Sequence, residues 1–204
     1  MDVDKVIRRK FRVKPGDLPP YTGWKHSLRK DLYVLFNDLG YVRGVELGVH
    51  VGRNSREMFK AIPKLDLTLI DPWRKYNRSS SDEGMASAFK RCKQRLSHWN
   101  PKYIRKTGSK AVKDIKDNSL DFVYIDGMHD FNSVMIDLIE WVPKVRKGGI
   151  VSGHDYAFGY APSYGVIQGV NAYVRAHNIT NLYLTGGACI WRDCTEPPSW
   201  FWPK

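Results

Sequence analysis

Cysteine is scarce in this chain of 204 residues, with only Cys92, Cys189 and Cys194. An odd number without C-x-x-C spacing excludes a self-contained disulfide framework and a paired-cysteine zinc site, so a reducing, cytoplasmic setting is expected. Long apolar runs are missing as well. No stretch approaches the roughly 20 apolar residues that cross a bilayer. The segment Met1 to Lys14 is charged, unlike a secretory signal. Neither the dinucleotide turn G-x-G-x-x-G nor the G-K-[ST] of a phosphate loop occurs. Acidic residues are outnumbered, 21 against 33 Lys and Arg, for a formal charge of +12 concentrated between Lys5 and Lys14 and between Lys90 and Lys116. Such a surface can hold phosphates or simply stay solvated. Without an aromatic-rich RNA-binding signature, the solvated face is expected and nucleic acid is not expected as a partner.

What is present suits one α/β domain. The apolar residues alternate between β-like runs and helical spacing, without internal repeats. A helix is expected over 25–39, strands over 42–47, 66–71, 102–106, 120–126 and 149–154, and helices over 54–62, 83–98 and 166–177. Asp130 caps a further helix whose Val134, Leu138 and Trp141 fall on one face, with Gly148-Gly149 ending it. Strands over 180–185 and 188–193 close the domain as a hairpin, giving a mostly parallel sheet with one antiparallel strand. The organisation reads as a basic segment and helix over 1–40, a core domain over 41–193, and an aromatic tail over 194–204. Trp200-Phe201-Trp202 is too aromatic for a free tail and packs on the domain, on a second copy in a homodimer, or on a neighbouring domain.

Three motifs carry chemistry. In Gly44-Val45-Glu46-Leu47-Gly48-Val49-His50-Val51-Gly52, a strand runs through an acid into a G-x-x-x-G turn. Glycines there let backbone approach a ligand, and the following helix points unpaired N–H groups at it. Asn54 with Glu57 reads as an N-cap and capping-box partner. About 25 residues on, the second strand ends in Asp71-Pro72-Trp73. An acid at that distance from a glycine turn suits the two hydroxyls of a ribose, or else caps the turn before Pro72. The third motif is a pair of strand ends, Asp126-Gly127-Met128-His129 and His154-Asp155, at the edge where open α/β sheets bind ligands.

Together these residues resemble class I S-adenosylmethionine-dependent methyltransferases, whose first motif is E/D-x-G-x-x-x-G and whose second is an acidic strand end. D-G-x-H followed by G-G-x-x-x-x-H-D resembles the metal-assisted small-molecule O-methyltransferases, sugar O-methyltransferases in particular, over roughly residues 40–193. The resemblance implies a Rossmann-like, doubly wound sheet of seven strands. It implies S-adenosyl-L-methionine bound by Glu46, Gly48, Val49, Gly52, Asn54, Ser55, Asp71, Pro72, Trp73, Ser109 and Asp126. A divalent cation, Mg²⁺ or Mn²⁺, would lie on Asp126, His154 and Asp155, with His154 standing where many relatives carry an acid. His129 is the expected general base, beside Asp126 in the catalytic set. Base-modifying relatives carry an N/D-P-P-Y/F motif where this chain has Asp126-Gly127-Met128-His129, which argues against a base-modifying enzyme. A sugar hydroxyl is the expected target. A catechol or phenol, or a non-catalytic cofactor-fold module, are the alternatives.

Overall fold

The computed structural model describes residues 2–22, 27–76, 80–157, 164–186 and 197–204. Elements run α1 (Val3–Lys10), β1 (Tyr21–Thr22), α2 (Arg29–Asp38), β2 (Arg43–Leu47), α3 (Arg53–Ala61), β3 (Asp66–Ile70), α4 (Asp82–Arg95), β4 (Lys102–Ile104), α5 (Gly108–Ala111), β5 (Leu120–Ile125), α6 (Phe131–Trp141), β6 (Val145–Gly153), α7 (Tyr164–Ala176), β7 (Tyr183–Leu184) and β8 (Trp200–Pro203). The strands form one sheet in the order β1-β7-β8-β6-β5-β2-β3-β4. All neighbours pair parallel except β8, which is antiparallel to both β6 and β7.

Alternation along the central strands explains the layers. Phe122 and Tyr124 of β5 point to one face, where α2, α3 and α4 contribute Phe36, Met58 and Cys92. Val123 and Ile125 point to the other, where α6 and α7 contribute Leu138, Trp141 and Val170. Phe122 is fully buried and stacks on Phe36 at 4.3 Å between ring centroids. Each such aromatic contributes roughly 1.5–3 kcal/mol by burial. Both faces are apolar because both are covered, and β5 therefore reads as a nearly continuous hydrophobic run.

The aromatic tail is a strand of the sheet. Ile150 pairs with Pro203 and Gly153 with Trp200. Trp200 and Trp202 stack at 5.3 Å on the α6–α7 face, while Phe201 packs on Phe11 and Tyr183 on the other. A Cβ at Gly153 would sit 2.2 Å from the Trp200 ring, and the Trp200 indole donates to the His154 carbonyl at 3.1 Å. The tail thereby supports the strand that ends in His154-Asp155.

Three expectations need correction. Among the described residues the sheet has eight strands, not seven: Trp200–Pro203 joins it, and Tyr21–Thr22 adds an edge beside β7. Two residues carry no periodicity from which to expect a strand. Gly148-Gly149 does not end α6: the helix stops at Trp141, a 3-10 turn with Pro143 follows, and both glycines lie inside β6. Pro143 has no N–H to continue the α-helical ladder. A Cβ at Gly149 would lie 2.5 Å from the Asp121 carbonyl, so the glycine serves close strand approach. Finally, α3 begins with Gly52 in the N-cap position at φ 68°, and Asn54 is inside the helix. Glu57 pairs with Arg56 and Lys60 on the surface. The expected strand 188–193, with Cys189 and Cys194, lies outside the described residues.

Candidate active site

The carboxyl ends of β2, β3 and β5, with the starts of α5 and α6, surround a cleft of about 350 Å³. Gly48 shapes its floor. It has φ 81°, and a Cβ there would lie 1.8 Å from the Asp126 carbonyl oxygen, so no side chain fits between the ends of β2 and β5. Among the expected cofactor residues, Gly48, Asp71, Pro72, Ser109 and Asp126 line this cleft.

Glu46, Asn54 and Ser55 lie behind it. Glu46 is fully buried, accepting from Asn54 Nδ2 at 3.0 Å and from the Ser55 hydroxyl. Burial pushes its carboxyl up to about 8, against the opposing pull of those two hydrogen bonds and Arg29. Asn54 Oδ1 accepts from the Tyr33 hydroxyl and from Arg29 at 3.2 Å. The buried acid therefore recruits Asn54 inward, which is why that residue does not cap α3. Val49, Gly52 and Trp73 are likewise buried behind the turn.

Asp71 holds the turn to β3. Its Oδ2 accepts from His50 N–H at 2.9 Å and its Oδ1 from Trp73 N–H at 2.6 Å, while the Trp73 indole donates to the His50 carbonyl at 2.8 Å. His50 sits at φ 49° and engages these neighbours through its backbone. Each carboxylate oxygen still has a lone-pair direction to spare.

At the β5–β6 end, Asp126, His154 and Asp155 bring donor atoms within 4.8 Å of one another. His154 is buried, its Nδ1 is 3.2 Å from Asp155 Oδ2, and among the described residues its Nε2 has no hydrogen-bond partner. His129 Nε2 stands 3.1 Å from Asp155 Oδ2 and 3.8 Å from Asp126 Oδ1. The Asp126 carboxylate raises the His129 pKa, Asp155 adds to this, and burial opposes it. Burial alone would raise Asp155, but the hydrogen bond and charge of His154, with the charges of His129 and Arg29, hold it below its ordinary value. Two carboxylates and an imidazole with an unpartnered buried nitrogen suit a divalent cation at this point.

The sequence reading missed Asp137, which reaches the same cleft from α6. The signal was there: residue 137 falls on the face defined by Val134, Leu138 and Trp141, where an acid is out of place.

Residues 45–156 match the sequence model of a family described as methyltransferase domain. The chain belongs to that family. Its glycine turn, acidic strand ends and sheet order are those of the class I methyltransferase fold. The uncharacterized protein y4gI of Sinorhizobium fredii is 30% identical to the methyltransferase over 152 residues, covering 70% of this chain but 16% of that protein. The chain thus spans about 16% of the length of that relative. An O-methyltransferase from Bacillus cereus, in complex with S-adenosylhomocysteine, superposes with a TM-score of 0.60 at 11% identity over 99% of this chain and 90% of that one. The O-methyltransferase TomG from Streptomyces achromogenes, in complex with S-adenosylmethionine, gives 0.58 at 14% over 100% and 90%. The N-methyltransferase NodS from Bradyrhizobium japonicum gives 0.58 at 14% over 86% and 94%. At such identities the likeness is one of fold, shared by enzymes that methylate oxygen and nitrogen alike. Among the described residues, no helix is long and apolar enough to cross a membrane.

Proposed function

We propose that this methyltransferase transfers methyl groups to oxygen, with a divalent cation assisting, and that its acceptor is a sugar hydroxyl on a glycan or glycosylated metabolite. The observation that carries the reading is the grouping of Asp126, His154, Asp155 and His129 beside the cofactor cleft. A hydroxyl is a poor nucleophile near neutral pH, so it must lose its proton as it attacks. A divalent cation, when bound, supplies a positive charge that stabilises the developing alkoxide. Asp126 and Asp155 would hold it with oxygen donors and His154 with nitrogen. His129 accepts the proton, since an imidazole is both base and hydrogen-bond partner in this pH range. Asp71 would orient the ribose of the donor, and Gly48 lets the backbone approach it.

The sugar acceptor rests on the D-G-x-H and H-D resemblance. A mass-spectrometric screen of hydroxylated acceptors with S-adenosylmethionine, after EDTA treatment and again with Mg²⁺ or Mn²⁺ restored, tests acceptor and metal together. His129→Ala is expected to cut turnover by roughly 10²–10⁴ while leaving cofactor affinity nearly intact. Turnover unchanged by EDTA would remove the metal. A fully active His129→Ala enzyme would place the base elsewhere, with His154 the next candidate.

A further inference from the structure

Charge is segregated along this chain. Between Lys90 and Lys116, ten Lys and Arg stand against one acid, Asp114, which accounts for nine of the twelve excess positive charges. All ten but Arg95 are exposed. Among the described residues, only Lys106 of these ten has an ion-pair partner, Asp114 at 2.5 Å. Elsewhere, Arg8, Lys10, Arg43, Lys60 and Arg146 each pair with an acid.

The fold gathers these cations around one edge. β4 ends the sheet, with α4 packed on one face and α5 with the Val112–Asp114 turn on the other. Lys93 of α4 and Arg105 just past β4 converge on the Phe89 ring, 4.8 and 5.0 Å from its centroid. Like charges held on one ring repel, and an anion laid across them relieves that repulsion. Lys106 carries the face to the cleft, which it lines. Charges on an edge strand also guard it against pairing with another chain. Lys102 and Arg105 suffice to guard a strand of three residues, whereas Lys90 and Arg91 on α4 and Lys110 and Lys113 past β4 guard no edge. Solubility calls for both signs interspersed, not for a face of one sign.

Such a face is complementary to a polyanion. A single-stranded nucleic acid would add aromatic faces on which bases stack, and an anionic membrane would add apolar side chains that insert. Here Phe89 is half-buried beneath Lys93 and Arg105, and Trp99 stacks on Phe59 at 5.4 Å. No large hydrophobic residue from 80 to 116 is exposed. The remaining occupant carries repeated anionic groups without bases or acyl tails. We infer that the α4–β4–α5 face is a docking track for an acidic polysaccharide. β4 lies three strands from β5, roughly 14 Å at the usual strand spacing. A chain of several sugars, not a single sugar, therefore reaches from the track to Asp126 and His129. That the docked chain is also the methyl acceptor rests on the sugar reading above; the docking itself does not.

The test is titration of the full chain with polygalacturonate, neutral dextran, poly(U), duplex DNA and phosphatidylglycerol vesicles. Polygalacturonate should bind and dextran should not, and the affinity should fall about tenfold or more between roughly 50 and 200 mM salt. A Lys93→Glu/Arg105→Glu/Lys110→Glu variant should lose about tenfold or more in affinity, whereas Lys5→Glu/Arg9→Glu/Lys14→Glu, equal in net charge and equally exposed, should lose less than about threefold. The wild-type comparison needs no variant and stands even if one fails to fold. Dextran bound as tightly as polygalacturonate would overturn the track, as would equal losses in the two variants. So would a nucleic acid or vesicle bound about tenfold more tightly than polygalacturonate at matched salt. Docking without turnover on any sugar would leave the track standing and sink the sugar-acceptor reading. Turnover on small sugars without docking would do the reverse.

Discussion

Asp71 serves two purposes through one carboxylate: it ties His50 and Trp73 into the turn, and it faces the cleft. Asp71→Ala should therefore weaken S-adenosylhomocysteine binding by roughly 2–4 kcal/mol, read by calorimetry. The unliganded protein should also melt earlier, because two backbone donors lose their acceptor. An affinity unchanged within twofold would remove Asp71 from the ribose site. Glu46 makes a different demand. Its carboxyl is fully buried and titrates near 8 in the folded chain, against an ordinary value of 4.5. The folded state thus binds the proton more tightly than the unfolded state. The contribution is complete below pH 4.5, declines as pH rises through the window from 4.5 to about 8, and is gone above it. The loss is on the order of a few kcal/mol. Glu46→Gln keeps an acceptor oxygen for Asn54 and an amide N–H that can donate to the Ser55 hydroxyl, without the charge. Denaturant titrations from pH 5 to 9 should show its stability falling less steeply than that of the wild-type protein. Parallel slopes would mean that Glu46 does not titrate there.

At the scale of elements, the site depends on strands that the local pattern describes well and on a tail that it does not. Residues 66–70 and 120–125 were legible as strands because each is largely an apolar run, and 43–47 because Val45 and Leu47 lead into a glycine turn. Their acidic ends were legible for the same reason, since parallel strands deliver their carboxyl ends to one edge. β8 was not, because Trp-Phe-Trp before a proline is equally compatible with packing on a partner. Its place between β6 and β7 has a measurable consequence. A chain ending at Ser199 would unpair both neighbours and uncover Phe11, Tyr173 and Tyr183. It should lose its single cooperative unfolding transition in calorimetry and bind a hydrophobic dye such as ANS. A sharp transition at the full-length temperature would show that β8 is dispensable.

For the whole molecule, ligand binding and folding are one equilibrium. Anything that binds the assembled cleft but not the unfolded chain stabilises the fold by mass action, by about 2.7 kcal/mol at a hundredfold excess over Kd. For a chain of this size that corresponds to roughly 5–10 °C. S-adenosylhomocysteine should produce such a shift by itself. Mn²⁺ should produce one that EDTA reverses and that Asp155→Ala abolishes. A metal response retained in that variant would place the ion elsewhere. The basic stretch from Lys90 to Lys116 runs through α4, the edge strand β4 and α5, and most of its cations are exposed.

The sequence alone determined the alternation of strands and helices, the glycine turn after β2, and the acids and histidines at the strand ends. These are properties of neighbours along the chain: hydrophobic period, a turn that only glycine tolerates, a polar residue where an apolar run stops. Tertiary structure decided the rest. It turned Asn54 from a cap into a donor for buried Glu46, because an isolated carboxyl in the core outweighs a solvent-exposed helix end. It placed Trp200–Pro203 inside the sheet, because only there are both faces of an aromatic strand covered. It brought Asp137 from α6 against Gly108 and Gly127, residues 29 and 10 positions away in the chain, across a space that no local pattern can measure.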